Sequence, residues 1–210
     1  MNDTTHTQRT SAEYRQLARD HMAGSWGKFA VIYLVIGVAM MAISAIPVAG
    51  GIAQLLLSGP VTLGIALCML KLFREDVLSV DSLTEGFQTF LPAFLVYLLT
   101  TLFVILWSLL LIIPGIIAGY SYSMAYYLLA DNPGMTAMEA LRASKSLMRG
   151  HKMDLFLLHL TFAGWFILSA LSLGIGFLWL SPYMTAASTG FYLDLKAAQP
   201  ASPQDHWISE

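Results

Sequence analysis

Three long stretches of this chain carry no Asp, Glu, Lys or Arg: Phe29–Leu70 with 42 residues, Gly86–Ala130 with 45 and Leu155–Leu193 with 39. No other feature restricts the fold as strongly. A helix needs about 20 apolar residues to cross a hydrocarbon core about 30 Å thick, at about 1.5 Å of rise per residue. Each stretch is therefore about two crossings long. Each is interrupted near its middle by residues that punctuate helices: Pro47, Gly50 and Gly51; Pro114 and Gly115; Gly174 and Gly176. Lipid admits only helices or closed barrels, and barrel strands would be short and alternating. The pattern predicts an all-α integral membrane protein with six transmembrane helices in three hairpins. The expected spans are Phe29–Val48, Ile52–Phe73, Leu91–Ile113, Gly115–Ala130, Leu155–Leu173 and Phe177–Leu195. Composition agrees, since only 11% of the residues are charged against about 25% in a soluble domain.

The charges that remain are placed one-sidedly. With six crossings, all eleven Lys and Arg and all thirteen Asp and Glu fall on one side. The positive-inside rule puts that side, and both termini, in the cytoplasm. The first apolar run follows a charged stretch of 28 residues and is too long for a signal-peptide core, so it reads as a retained span. A net charge of −2 excludes a general polyanion binder, and no nucleic acid is expected as a partner. Cys68 is the single cysteine, which excludes a disulfide framework and a cysteine-based zinc site.

The chain also repeats itself. A Thr-x-x-Glu capping box, which satisfies orphan amides at a helix start, occurs at Thr10/Glu13 and at Thr136/Glu139. Each lies fourteen residues before a glycine, Gly24 and Gly150, and an apolar run follows. The offset is 126 residues, and near its midpoint a third box, Ser82/Glu85, precedes Gly86 and the third span. Pro60, Ser121 and Pro182 are spaced by 61 and 61. Three degenerate units follow, about 11–74, 80–131 and 134–196, each a cytoplasmic amphipathic helix, a glycine hinge and a hairpin. They form one membrane domain between flexible tails at 1–10 and 197–210.

The leading helices have two readings. Tyr14, Leu17, Ala18 and Met22 share a face, while Arg142, Lys145, Arg149 and Lys152 form a basic one. Such helices either brace the cytoplasmic end of the bundle, which is the expectation here, or lie in the interface with their cations on anionic headgroups.

Several motifs run in a fixed order: Gly24-x-Trp26-Gly27-Lys28, Gly59-Pro60, Glu85-Gly86-Phe87, Trp107-Ser108 leading to Ile113-Pro114-Gly115, and Tyr120-Ser121-Tyr122-Ser123. Leu129-Ala130-Asp131-Asn132-Pro133, Gly150-His151-Lys152 and Pro182-Tyr183-Met184 continue the series. The combination resembles the bacterial integral-membrane family catalogued as domain of unknown function 975, over about residues 11–196. The resemblance implies a six-helix inner-membrane protein. It carries over no activity and no catalytic residues.

The residues themselves offer little chemistry. The three runs hold one His, His159, and no acid or other base beyond it. No paired carboxylate, HExxH or phosphate loop appears, so no enzyme, cofactor or metal is expected. His159 is a candidate proton site because ionisable groups inside membranes are functional by default. The preferred reading is a neutral imidazole hydrogen-bonded across the bundle. Hydroxyls supply a second candidate: Tyr120, Ser123 and Tyr127 on the fourth span, Tyr183, Thr185 and Ser188 on the sixth. They suggest a polar axis formed by spans two, four and six, with spans one, three and five toward lipid. The preferred reading is again helix packing. The expected function is non-enzymatic, through membrane lipids or a partner membrane protein. The alternative is a transporter or pore for a small neutral solute or lipid.

Overall fold

The computed structural model describes residues 9–199. The parts of the two expected tails at 1–8 and 200–210 lie outside the described residues. Within them the regular elements are helices: α1 (Ser11–Met22), α2 (Trp26–Ser44), α3 (Ala49–Glu75), α4 (Asp81–Glu85), α5 (Phe90–Leu110), α6 (Ile112–Tyr122), α7 (Ala125–Asp131), α8 (Ala137–Leu147), α9 (Lys152–Leu160), α10 (Ala163–Leu171) and α11 (Phe177–Ala198). The last helix thus extends into the segment expected to be tail. Four segments are long and apolar enough to cross a membrane: α2, α3, α5 and Ile112–Asp131, which joins α6 and α7. The pair α9 and α10, bent by 40° at its break, passes the same test only when taken together, which brings the number to five if the pair is one span. α11 is 22 residues long, but Ser, Thr and Tyr recur along it, and it falls short on apolarity.

Two of the three capping boxes form. The Thr10 amide donates to Glu13 Oε2 at 2.6 Å and the Glu13 amide donates to Thr10 Oγ1 at 3.4 Å. At Thr136/Glu139 the same pair measures 2.8 and 3.4 Å. The amide of each threonine, then its hydroxyl, holds the Glu13 and Glu139 carboxyls below the ordinary value. The Ser82/Glu85 box does not form. α4 has only five residues, so Glu85 is its last. Its carboxylate instead accepts two bonds from Lys71 Nζ on α3, at 2.7 and 2.9 Å, and a charge-assisted pair outcompetes a cap. The two hinge glycines behave alike: Gly24 and Gly150 have φ of +79° and +89°, a conformation that costs any other residue a steric clash.

The leading helices pack onto the bundle. α1 lies along α11, with Tyr14 edge-on to Phe191 at 5.3 Å. α4 lies on α3 so closely that a Cβ on Gly64 would sit 2.6 Å from the Leu83 carbonyl oxygen. α8 lies against α6 and α7 through its buried face of Ala137, Ala140, Leu141, Ser144 and Leu147. α3 and α5 meet equally tightly, a Cβ on Gly59 falling 2.4 Å from the Ala93 carbonyl oxygen. Small residues are what allow such backbone approach. The result is a tightly packed base, where Tyr14, Phe29, Met69, Leu129 and Phe191 are all buried. From it the apolar helices extend to distal tips that are almost bare, with Val48 82%, Leu109 84% and Leu173 94% exposed.

Candidate functional site

The polar residues collect at the inner edge of the base, and a break in the fourth apolar segment places them. One continuous helix was expected over Gly115–Ala130; the backbone instead turns at Ser123 and Met124, between α6 and α7. A break in a helix orphans backbone groups that must be satisfied. Ser144, fully buried on α8, does this with one hydroxyl. It donates to the Ser121 carbonyl at 2.9 Å and accepts from the Met124 amide at 3.2 Å.

Beside this break lies a cavity of about 430 Å³, lined by Tyr33, Thr62, Ser123, Tyr127, His159, Thr185 and Ser188, with Met124, Tyr126 and Leu155 among its apolar walls. Ser188 Oγ donates to the Met184 carbonyl at 2.9 Å. Its proton is thereby committed, so in the 3.1 Å bond to His159 Nε2 the imidazole is the donor. In the neutral tautomer with Nε2 protonated, His159 Nδ1 accepts a hydrogen bond from the Tyr120 hydroxyl at 3.3 Å. The imidazole bridges three helices, α6, α9 and α11. Thr185 Oγ1 donates to the Ser181 carbonyl at 2.9 Å, which leaves the Tyr33 hydroxyl, 3.0 Å away, as donor to Thr185. Thr189 Oγ1 donates to the Thr185 carbonyl at 2.9 Å, and the Tyr127 hydroxyl lies 3.3 Å from Thr189 Oγ1 and 3.4 Å from the same carbonyl, with its one proton available to them.

Of the expected axis, Ser123, Tyr127, Thr185 and Ser188 line this cavity, and Tyr120 joins through His159. Tyr183 does not: its hydroxyl donates to the Arg15 carbonyl at 3.1 Å, and its ring meets Trp26 and Phe162 edge-on. The division of spans also needs correction. Tyr33 on α2 and His159 on α9 reach the cavity, so spans one and five are not confined to the lipid side. Tyr33 is the single polar residue between Lys28 and Ser44 of α2, and that isolation was the available signal for it. Arg142, Lys145 and Arg149 are exposed, while Lys152 is half-buried at the start of α9. Most hydroxyls are committed to backbone carbonyls of their own helices, which presents a neutral polar wall without a charge. Among the described residues no three His, Cys, Asp or Glu side chains are grouped to hold a metal ion.

The family described as protein of unknown function DUF975 matches residues 1–114 and again residues 109–199. The chain belongs to that family. No curated protein and no solved structure matches it. In this DUF975 chain one further group stands out. Asp131, at the end of α7 with only 4% of its side chain exposed, pairs with Arg74 of α3 at 2.8 Å. It also accepts the Tyr192 hydroxyl of α11 at 2.7 Å and pairs with Lys196 of the same helix. One carboxylate thus ties together the ends of α3, α7 and α11. The signal was present in the sequence, as a single acid closing an apolar run, but its partners lie 57, 61 and 65 positions away.

Proposed function

We propose that this chain is a multi-pass protein of the bacterial inner (cytoplasmic) membrane, with six crossings in three repeated units and both termini in the cytoplasm. It acts without catalysis, through contacts with membrane lipids or a partner membrane protein. The Asp131 clamp supports the six-span reading: the ends of α3, α7 and α11 meet at one level, so each hairpin returns to the side it left. The matching of Gly24 with Gly150, box with box, supports the repeat.

The observation that carries the function is the division of the surface. Most polar groups are drawn into the base, while the distal halves present a surface dominated by apolar side chains. Such surface needs lipid or another apolar protein to cover it. Gentle extraction followed by native mass spectrometry tests this. Retained lipid or a stoichiometric membrane partner is expected; a bare monomer that keeps its fold without either would overturn it.

The cavity of about 430 Å³ favours a second reading, passage of a small neutral solute. Ser123→Leu with Thr185→Leu distinguishes the two. If the hydroxyls serve packing, the double change overpacks α7, α11 and their neighbours and costs about 1–3 kcal/mol per site. A variant of undiminished melting temperature that has lost solute flux in proteoliposomes would favour the passage instead.

A further inference from the structure

A second and larger depression lies outside the polar cavity. It is a groove of about 870 Å³ in the mouth of the third hairpin, between α10 and α11, closed at the base by α1 and the start of α2. Trp165, Leu168, Leu171, Ile175 and Trp179 form its walls, and Arg15, Arg19 and Trp26 stand at its closed end. The wall residues are substantially exposed, Leu171 to 76% and Ile175 to 60%.

The arginines set this groove apart from ordinary lipid-facing surface. Tyr183 fixes α1 over it by donating to the Arg15 carbonyl at 3.1 Å. Arg15 Nε is sealed from solvent and has no acceptor. Among the described residues neither Arg15 nor Arg19 enters an ion pair. A buried donor on a permanent cation is costly to leave unmet. Guanidinium groups are suited to phosphate, which they bind through paired N–H donors. Indole rings flank the polar end and line the walls, as at membrane interfaces. A free phosphate would leave the apolar walls bare. A helix of a second copy would bring no counter-charge, because the three apolar runs contain no Asp or Glu.

We infer that the groove holds one anionic glycerophospholipid, with its phosphate on Arg15 and Arg19 and an acyl chain between Trp165 and Trp179. This inference rests on the lipid-contact reading and makes it specific to one site and one lipid class.

The test uses the full-length protein, delipidated in a neutral detergent and titrated with phosphatidylglycerol or phosphatidylcholine, binding being read by native mass spectrometry and melting temperature. The wild type is expected to bind phosphatidylglycerol at least tenfold more tightly than phosphatidylcholine. Arg15→Gln with Arg19→Gln abolishes that preference, whereas Arg142→Gln with Lys145→Gln, on the exposed basic face of α8, retains it. If the first double variant does not fold, Ile175→Trp, which fills the groove at an exposed position, is expected to remove the same preference. Equal loss in both double variants would overturn the site in favour of diffuse charge attraction. Retention in Arg15→Gln/Arg19→Gln or in Ile175→Trp would also overturn the site while leaving lipid contact intact. A wild type that neither retains nor responds to any lipid would contradict the lipid-contact reading itself.

Discussion

The base and the distal halves of this molecule are made of the same helices and nearly the same apolar residues, yet they are held by different forces. In the base, α3 touches α4 and α5 through Gly64 and Gly59, backbone against backbone. Most hydroxyls of the cavity wall are bonded, and Asp131 joins three helix ends. Toward the tips the two arms of each hairpin still approach closely, at Gly50 against Ile43, Gly115 against Ser108 and Gly176 against Ser169, but Leu109, Leu171 and Leu173 are exposed. Apolar helices in a bilayer gain nothing from mutual burial alone, because lipid is as apolar as leucine; close packing and hydrogen bonds must hold them. The base has both. The distal halves keep close approaches at their turns, and their outward surface is left apolar and exposed.

The sharpest contrast comes from matched glycines. A side chain on Gly59 collides with the Ala93 backbone at 2.4 Å, whereas nothing lies within 4 Å of a Cβ on Gly37 in α2. Gly59→Leu is expected to cost about 3 kcal/mol or more and to prevent stable accumulation in membranes. Gly37→Leu should stay within about 0.5 kcal/mol. Similar melting temperatures for the two would erase the distinction between the packed seam of α3 and α5 and the open face of α2.

Next in size is the clamp. Asp131→Asn removes the charge that Arg74 and Lys196 share, but both cations are nearly half exposed and can turn to water. The expected loss is about 1–3 kcal/mol, read as a lower melting temperature in detergent. An unchanged value would mean that the three helix ends are held by packing alone.

A smaller effect is expected at His159. Glutamine can both donate and accept, so His159→Gln should cost less than about 1 kcal/mol, while His159→Leu, which leaves the Tyr120 hydroxyl without its acceptor, costs about 1–2 kcal/mol. Glutamine performing as badly as leucine would point to a role for the imidazole beyond bonding.

The smallest effect belongs to the caps. Thr136→Ala is expected to cost about 1 kcal/mol, seen as fraying of α8 by hydrogen exchange. The Glu139 carboxyl is held below its ordinary 4.5, so its contribution is complete above that pH and is lost as the pH falls through the folded value. Protection of α8 should therefore decline in acid in the wild type and less so in Thr136→Ala; parallel declines would separate the box from the acid response.

The charge-free runs made the hairpins legible, and the capping boxes located α1 and α8 to the residue. The boxes were readable because their partners are three positions apart. The breaks at Ser123–Met124 and at Thr161–Phe162 were not, because Ser and Thr inside apolar helices usually bond their own backbone, and the repair by Ser144 comes from another helix. The Asp131 clamp and the Tyr33 contact were hidden for the same reason, their partners being distant in sequence. Nor could hydropathy separate the base from the tips, since a side chain facing a packed core and one facing lipid are equally apolar. The Arg15–Trp165 groove depends on that separation, and Arg15 and Arg19 in the sequence are simply the polar side of an amphipathic helix.

The central claim is that the three tips lie across the membrane from the charged base, and thiol labelling tests it directly. Cys68 is buried and can be replaced by alanine to give a cysteine-free background. Single cysteines at Val48, Leu111 and Leu173, all highly exposed, would then be compared with one at Lys145 on α8. In intact spheroplasts a membrane-impermeant maleimide is expected to label the three tip positions and to reach Lys145→Cys only after lysis. If the tips were labelled only after lysis, the hairpins would be re-entrant from the cytoplasmic side, and the six-crossing account would be wrong.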